Sequence, residues 1–222
     1  MIFLAFKYFF RLLFPIYFRW KVTGREKVPA SGGVIVAANH TSFLDPPLVG
    51  TALIRQAYFL ARQDLFRFRP FGWLLKSLNT IPLSRDRTSV ASFRAAVKIL
   101  SSGNQLVIFP EGTRNKEEKL GPARAGLGLL WFKSGVPVVP VYISGAQQAF
   151  PPGSRWIRPR KISIVFGDPI RIEEAVSVRG NKVDYKRLSQ AVMKRIERLR
   201  EQKPAKETDF DLTPNRSNDN LR

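Results

Sequence analysis

The chain has no cysteine and a single histidine, His40. The first absence removes disulfides, thiolate metal ligands and cysteine nucleophiles together. The second excludes a histidine-rich metal site. Acidic residues are scarce, with 17 Asp plus Glu against 37 Lys plus Arg, a formal net charge of +20. Long uncharged apolar runs are missing from the first twenty residues. The longest, Leu12 to Phe18, is interrupted by Pro15 and falls well short of the ~20 residues a spanning helix needs. There is no Gly-x-Ser-x-Gly elbow to carry a covalent acyl intermediate. A Gly-x4-Gly-Lys-Ser/Thr phosphate loop is also absent, which excludes P-loop nucleotide chemistry.

What is present suffices for one α/β domain: 222 residues, 44% of them hydrophobic, bury a sizeable core. No repeat and no linker divides the chain. The excess of positive charge implies an acidic partner. Nucleic acid fits poorly, because no helix-turn-helix, zinc-finger or RNP pattern occurs and the aromatics crowd the N-terminus. An anionic membrane surface fits better. Nine aromatics fall in the first twenty residues. A helix there sets Lys7 and Arg11 on one stripe and Phe6, Phe10, Phe14 and Tyr17 on another side. No small-residue cleavage site follows, so the segment does not read as a signal peptide. Residues 1–22 are expected to lie in the membrane interface, with rings at the acyl boundary and cations at the headgroups. The competing reading packs this helix on the protein's own core. The expected placement is peripheral or monotopic, on the cytoplasmic face. Residues 23–202 form the main domain, and the polar stretch 203–222 reads as disordered.

Strand and helix patterns alternate through the middle of the chain. Strands are expected at 34–38, 58–61, 81–84, 105–109, 138–143 and 161–166. Helices are expected from Asp45-Pro46-Pro47, with Asp45 as cap, and at 65–78. Others are expected over the face Val90, Phe93, Val97 and Leu100 (capped by Thr88 or Ser89), at 123–133 and at 182–201. The alternation predicts a single-domain α/β fold with a largely parallel or mixed central sheet flanked by helices, preceded by an amphipathic membrane-associated helix. Pro137 and Pro140 predict an edge or strand-start position for 138–143.

Four segments carry chemistry. In Asn39-His40-Thr41-Ser42-Phe43-Leu44-Asp45 a strand delivers a histidine to the carboxyl edge of the sheet, where α/β sites usually lie. The turn can fold the Asp45 carboxylate back onto the imidazole, fixing its tautomer, and histidine is the side chain suited to base and then acid work near neutral pH. On spacing alone His40 could equally be structural and Asp45 a helix cap. In Phe109-Pro110-Glu111-Gly112-Thr113-Arg114 a second strand ends in a sharp turn. There Gly112 permits close backbone approach and Arg114 offers a planar fork for phosphate. Ile81-Pro82-Leu83-Ser84-Arg85-Asp86-Arg87 ends a third strand with two more guanidiniums. Val136-Pro137-Val138-Val139-Pro140-Val141 is the fourth segment.

Together, and in this order and spacing, these segments resemble the four blocks of the 1-acylglycerol-3-phosphate acyltransferase (lysophosphatidic acid acyltransferase) family, within the glycerolipid acyltransferase superfamily. The family's His-x4-Asp block is similar to His40–Asp45, and its Phe-Pro-Glu-Gly-Thr-Arg block is matched in full by Phe109 to Arg114. The resemblance covers roughly residues 20–170. It implies His40 as the base on the acceptor hydroxyl and Asp45 as its orienter. It places Arg85, Glu111, Gly112, Thr113 and Arg114 on the glycerol-phosphate end, leaving Arg87 as an alternative to Arg85. No metal and no cofactor is implied. The expected partners are a lysophospholipid acceptor, an acyl-CoA or acyl carrier protein donor, and the membrane, and the expected product is phosphatidic acid. Another lysolipid or glycerol-3-phosphate remains an alternative acceptor. A non-catalytic lipid-binding protein on the same fold is the rival of different class, and a retained His40, Asp45, Glu111 and Arg114 argues against it.

Overall fold

A computed structural model describes residues 2–67, 69–83, 90–115, 120–151, 153–175 and 183–202. A seven-stranded sheet has the order β1-β7-β6-β2-β5-β3-β4. Its strands are β1 (Lys21–Thr23), β2 (Val34–Ala38), β3 (Ala57–Arg62), β4 (Thr80–Leu83), β5 (Gln105–Ile108), β6 (Val138–Ser144) and β7 (Ser163–Phe166). Every neighbouring pair is parallel except β6 with β7. β1 is too short, at three residues, to announce itself by alternation and is absent from the sequence reading.

The helices are α1 (Ile2–Phe18), α2 (Asp45–Ala52), α3 (Arg69–Ser77), α4 (Val90–Ser101), α5 (Ala125–Ser134), α6 (Ala146–Ala149) and α7 (Tyr185–Glu201). They cover both faces of the sheet, as a mainly parallel sheet requires. Side chains alternate along β2 and sort into two cores. Val34, Val36 and Ala38 join Phe14 and Phe18 of α1 and Leu48, Val49 and Ala52 of α2. Ile35 and Ala37 join Ala96 and Leu100 of α4, Leu127, Leu130 and Trp131 of α5, and Leu188, Val192 and Ile196 of α7.

Three expectations are corrected. Residues 65–78 do not form one helix: a 3₁₀ turn at Gln63–Phe66 precedes α3. Pro70 accounts for the break, because it fits the first turn of a helix but not its interior. Of the edge and strand-start positions expected for 138–143, the edge is excluded: β6 is internal, lying between β2 and β7, and Pro137 directly precedes its first residue. The Val138 N–H donates to Ile170 O, and the Pro140 carbonyl accepts from Gly167 N–H. By alternation the Pro140 nitrogen also faces β7, at the gap between that bridge and the β6–β7 ladder beginning at Val141. No donor is needed there. Asp45 is the first residue of α2 and not its cap, which is Leu44. Ser84 to Ser89 and 203–222 lie outside the described residues.

α1 turns one face to the core and another to solvent. Phe14 and Phe18 are core residues, with Phe10 stacked on Phe14 at 4.7 Å. Tyr8, Phe9, Leu12, Leu13 and Ile16 are exposed on the other side. At 100° per residue these five form one outward face without a charge. No helix among the described residues is long and apolar enough to cross a membrane.

Candidate active site

β2 and β5 are adjacent and parallel, in register from Val34↔Gln105 to Ala37↔Ile108. Their following loops therefore leave the same edge side by side. The chain also turns to opposite sides here: β2 leads through α2 to β3, and β5 leads through α5 to β6, across β2. The crevice at such a switch point is where open α/β sheets place their sites.

Asn39, the residue after β2, is buried and clamps to β6. Its Nδ2 donates to Ile143 O at 2.9 Å, and Ile143 N–H donates to its Oδ1 at 2.7 Å. The next residue, His40, is thereby aimed from a fixed base. The His40 Nδ1 lies 2.9 Å from Asp45 Oδ2. That oxygen also accepts the Thr41 N–H at 2.6 Å and the Ser42 N–H at 2.7 Å. Asp45 is fully buried and sits in the first turn of α2, where the helix dipole favours negative charge. With the carboxylate as acceptor, Nδ1 carries the proton and Nε2 keeps the lone pair. The imidazole also stacks on Phe109 at 4.1 Å, so its plane is set by contacts on face and edge.

The β5 loop is stitched to this turn. Glu111, buried, accepts the His40 N–H on Oε1 at 2.9 Å and the Gly121 N–H on Oε2 at 2.9 Å. The His40 carbonyl accepts the Asn115 N–H at 2.8 Å. Burial raises the Glu111 pKa; the two backbone N–H bonds and the His40 charge pull it down, and the Asp45 charge pushes it up. Two glycines make room for this stitching. Gly112 has φ +67, and a Cβ there would stand 2.6 Å from Arg124 Nε. A Cβ on Gly121 would stand 2.8 Å from Glu111 Oε2.

The sequence-predicted residues thus divide in three. His40, Asp45, Glu111, Gly112, Thr113 and Arg114 come together at one edge. Gly112 and Thr113 are exposed there, and the Arg114 guanidinium lies 3.4 Å from the Phe43 ring centroid, beside the His40 turn. Glu111 is present, but both its oxygens are engaged by backbone amides. Arg85, with Arg87, lies outside the described residues; β4 before it ends at the same edge, three strands from β2, roughly 14 Å away at ordinary strand spacing. Sequence reasoning missed Arg124, whose Nε donates to Glu111 O at 3.0 Å, along with the clamp at Asn39 and the platform at Phe109. A lone arginine before a helix gave no signal. Asn39 and Phe109 flank the recognised residues, and only the fold shows their use. Among the described residues no cluster of His, Cys, Asp and Glu could hold a metal ion.

Sheet and site define an α/β protein with a histidine–aspartate pair at the switch point and a basic, glycine-containing loop bound to it. The family described as Acyltransferase matches residues 19–144, and the chain belongs to that family. It is 33% identical over 177 residues to a chloroplastic 1-acyl-sn-glycerol-3-phosphate acyltransferase of Brassica napus, covering 78% of this chain and 48% of that protein. It is 26% identical over 151 residues to the 1-acyl-sn-glycerol-3-phosphate acyltransferase of Bacillus subtilis, covering 68% of this chain and 73% of that protein. The crystal structure of the 1-acyl-sn-glycerophosphate (LPA) acyltransferase PlsC of Thermotoga maritima superposes with a TM-score of 0.72 at 26% identity, over 90% of this chain and 80% of that one. The chain spans about half the length of the Brassica relative.

Proposed function

We propose that this protein transfers a fatty acyl group from a thioester to the free hydroxyl of 1-acylglycerol-3-phosphate, making phosphatidic acid at a membrane surface. The observation that carries the reading is the His40 Nδ1 to Asp45 Oδ2 contact of 2.9 Å at the switch point, with the Phe109–Arg114 loop bonded to the same turn. His40 Nε2 takes the proton of the acceptor hydroxyl as its oxygen attacks the thioester carbonyl. The C–O bond forms, the tetrahedral intermediate collapses, and the C–S bond breaks. The imidazolium then returns its proton to the departing sulfur, so that ester and free thiol are the products. Asp45 holds the ring and stabilises its cation. The chain has no cysteine, and among the described residues the serine in the His40 turn, Ser42, gives its hydroxyl proton to Phe150 O, so direct transfer needs the fewest assumptions.

The acceptor phosphate sits at the exposed backbone of Gly112 and Thr113, with Arg114 and Arg85 as its cations. Glu111 serves by holding the turn and loop together. The exposed apolar face of α1 and the net charge of +20 support a site that works at the leaflet supplying the acceptor. The donor is acyl-CoA or acyl carrier protein. Purified protein given either donor with a panel of lyso-acceptors, and products identified by mass, should yield phosphatidic acid from lysophosphatidic acid. Acylation of glycerol-3-phosphate or of another lysolipid in preference would reassign the acceptor, and no acylation with any pair would leave the lipid-binding reading.

A further inference from the structure

α1 is not the only exposed apolar element on its side of the molecule. After α6 the chain makes an excursion over 150–161 before entering β7. Trp156 at its tip is 80% exposed, more than any other large apolar side chain among the described residues, and Ile157 beside it is also exposed. Arg155, Arg158, Arg160 and Lys161 surround them, all exposed. No acidic residue occurs between Glu118 and Asp168. A bulky ring projected into solvent among cations gains nothing from the protein. It is the composition of an interfacial membrane anchor, where an amphipathic ring sits at headgroup level and guanidiniums meet phosphates.

The excursion is built, not merely exposed. Ser154 Oγ donates to Trp156 O at 2.8 Å and accepts the Trp156 N–H at 3.3 Å. The Arg158 N–H closes the base on Ala149 O at 2.8 Å. Two bonds tie it to α1: Tyr17 Oη donates to Ile157 O at 2.9 Å, and the Ile162 N–H donates to Phe18 O at 3.1 Å. Its other end reaches the site. Ser42 Oγ donates to Phe150 O at 3.0 Å, and the Phe150 ring lies 6.1 Å from Phe43, the ring under Arg114.

We infer that residues 153–161 form a second membrane anchor, seated in a bilayer containing anionic lipid beside the outer face of α1, so that two points of contact fix the orientation of the His40 turn to the leaflet. One helix alone leaves rotation about its own axis free; a second contact off that axis removes it. The inference rests on the membrane-surface reading above.

The test uses full-length protein and vesicles of phosphatidylcholine with phosphatidylglycerol. Trp156→Ala should weaken partitioning roughly tenfold, as loss of one interfacial ring does. Replacing Arg155, Arg158 and Arg160 by Gln should weaken it severalfold. Replacing Lys194, Arg195 and Arg198 on α7, exposed on the opposite face, removes the same charge and should change little. Brominated lipid should quench wild type more than Trp156→Phe, the difference reporting that ring among the four tryptophans. Activity on acceptor in vesicles should fall with partitioning, and activity on a monomeric short-chain acceptor should hold. Wild-type partitioning by Trp156→Ala, or no difference in quenching, overturns the inference even if Leu12→Ser and Ile16→Ser on α1 release the protein. A wild-type protein that transfers no acyl chain overturns the proposed reaction instead, while partitioning and quenching still decide the anchor.

Discussion

One oxygen, Asp45 Oδ2, accepts three N–H groups, so substitutions at Asp45 separate its roles. Asn keeps an oxygen for the Thr41 and Ser42 amides but loses the charge that supports an imidazolium. Asp45→Asn should cost ~10²–10⁴-fold in turnover, comparable to His40→Ala, with little change in stability. Ala orphans two amides of the turn, and Asp45→Ala should in addition lose ~1–3 kcal/mol for each buried donor left unpaired. Equal turnover in wild type and Asp45→Asn, measured on protein with unchanged circular dichroism, would reduce Asp45 to a structural residue. Glu111 makes a pH-dependent prediction. Burial raises its folded-state pKa, so the native state holds this proton to higher pH than the unfolded chain. Its contribution to stability is then full below the ordinary glutamate pKa and is lost as pH rises through the raised one. Glu111→Gln removes that titration. The stability of wild type relative to Glu111→Gln should fall as pH rises above the ordinary glutamate pKa, by denaturant midpoints at each pH. Gln also offers one oxygen to two amides, so one of the bonds to His40 and Gly121 goes, and turnover falls. A stability difference that is flat or grows with pH would contradict this account.

At the scale of elements, what was legible follows from what each pattern reports. β2, β5 and β6 are buried on both faces, and such strands read as continuous apolar runs, Val34-Ile35-Val36 and Leu106-Val107-Ile108 among them. The switch point placed His40 and Glu111 together because both follow such strands. β1 was illegible because three residues carry no period, and it survives by pairing with β7. Of the edge and strand-start positions expected for 138–143, the edge fails, because a proline's missing donor tells nothing of what its neighbour offers. Here the neighbour leaves a gap at Gly167 to Pro169. Glu111 is expected from its motif on the glycerol-phosphate end, and its bonds to the amides of His40 and Gly121, 71 and 10 residues away in sequence, leave no local signal. α1 was ambiguous because rings cover both its faces. That ambiguity sets the test. Deleting residues 1–20 would strip Phe14 and Phe18 from the core, and losing even one buried phenylalanine costs ~3–5 kcal/mol. The truncated protein should therefore unfold or aggregate, confounding any binding assay. Leu12→Ser with Ile16→Ser alters only exposed positions and should leave the thermal midpoint within a few degrees while weakening vesicle binding at least tenfold. Unchanged binding would remove α1 from the membrane.

For the molecule as a whole, the proposed membrane attachment has two parts, the +20 charge and the apolar outer face of α1, that should respond differently to salt. Each Lys or Arg near an anionic surface contributes ~1 kcal/mol, and this is screened as the Debye length shrinks from ~8 Å at physiological salt to ~3 Å at 1 M. The apolar part is proportional to area removed from water and is insensitive to screening. Co-sedimentation with phosphatidylcholine–phosphatidylglycerol vesicles should therefore fall with salt to a plateau above zero. Binding to pure phosphatidylcholine should be weaker and nearly flat, approaching that same plateau. From native membranes, high salt should release the protein in part and detergent completely. Total release at 1 M salt would make the attachment electrostatic alone and leave Leu12 and Ile16 without a role in it. Salt-independent binding to both vesicle types would instead strip the basic surface of its membrane function. Protease protection of sites on both sides of α1 would show a spanning segment, contrary to the two-faced helix, whose inner rings are already spent on the protein's own core.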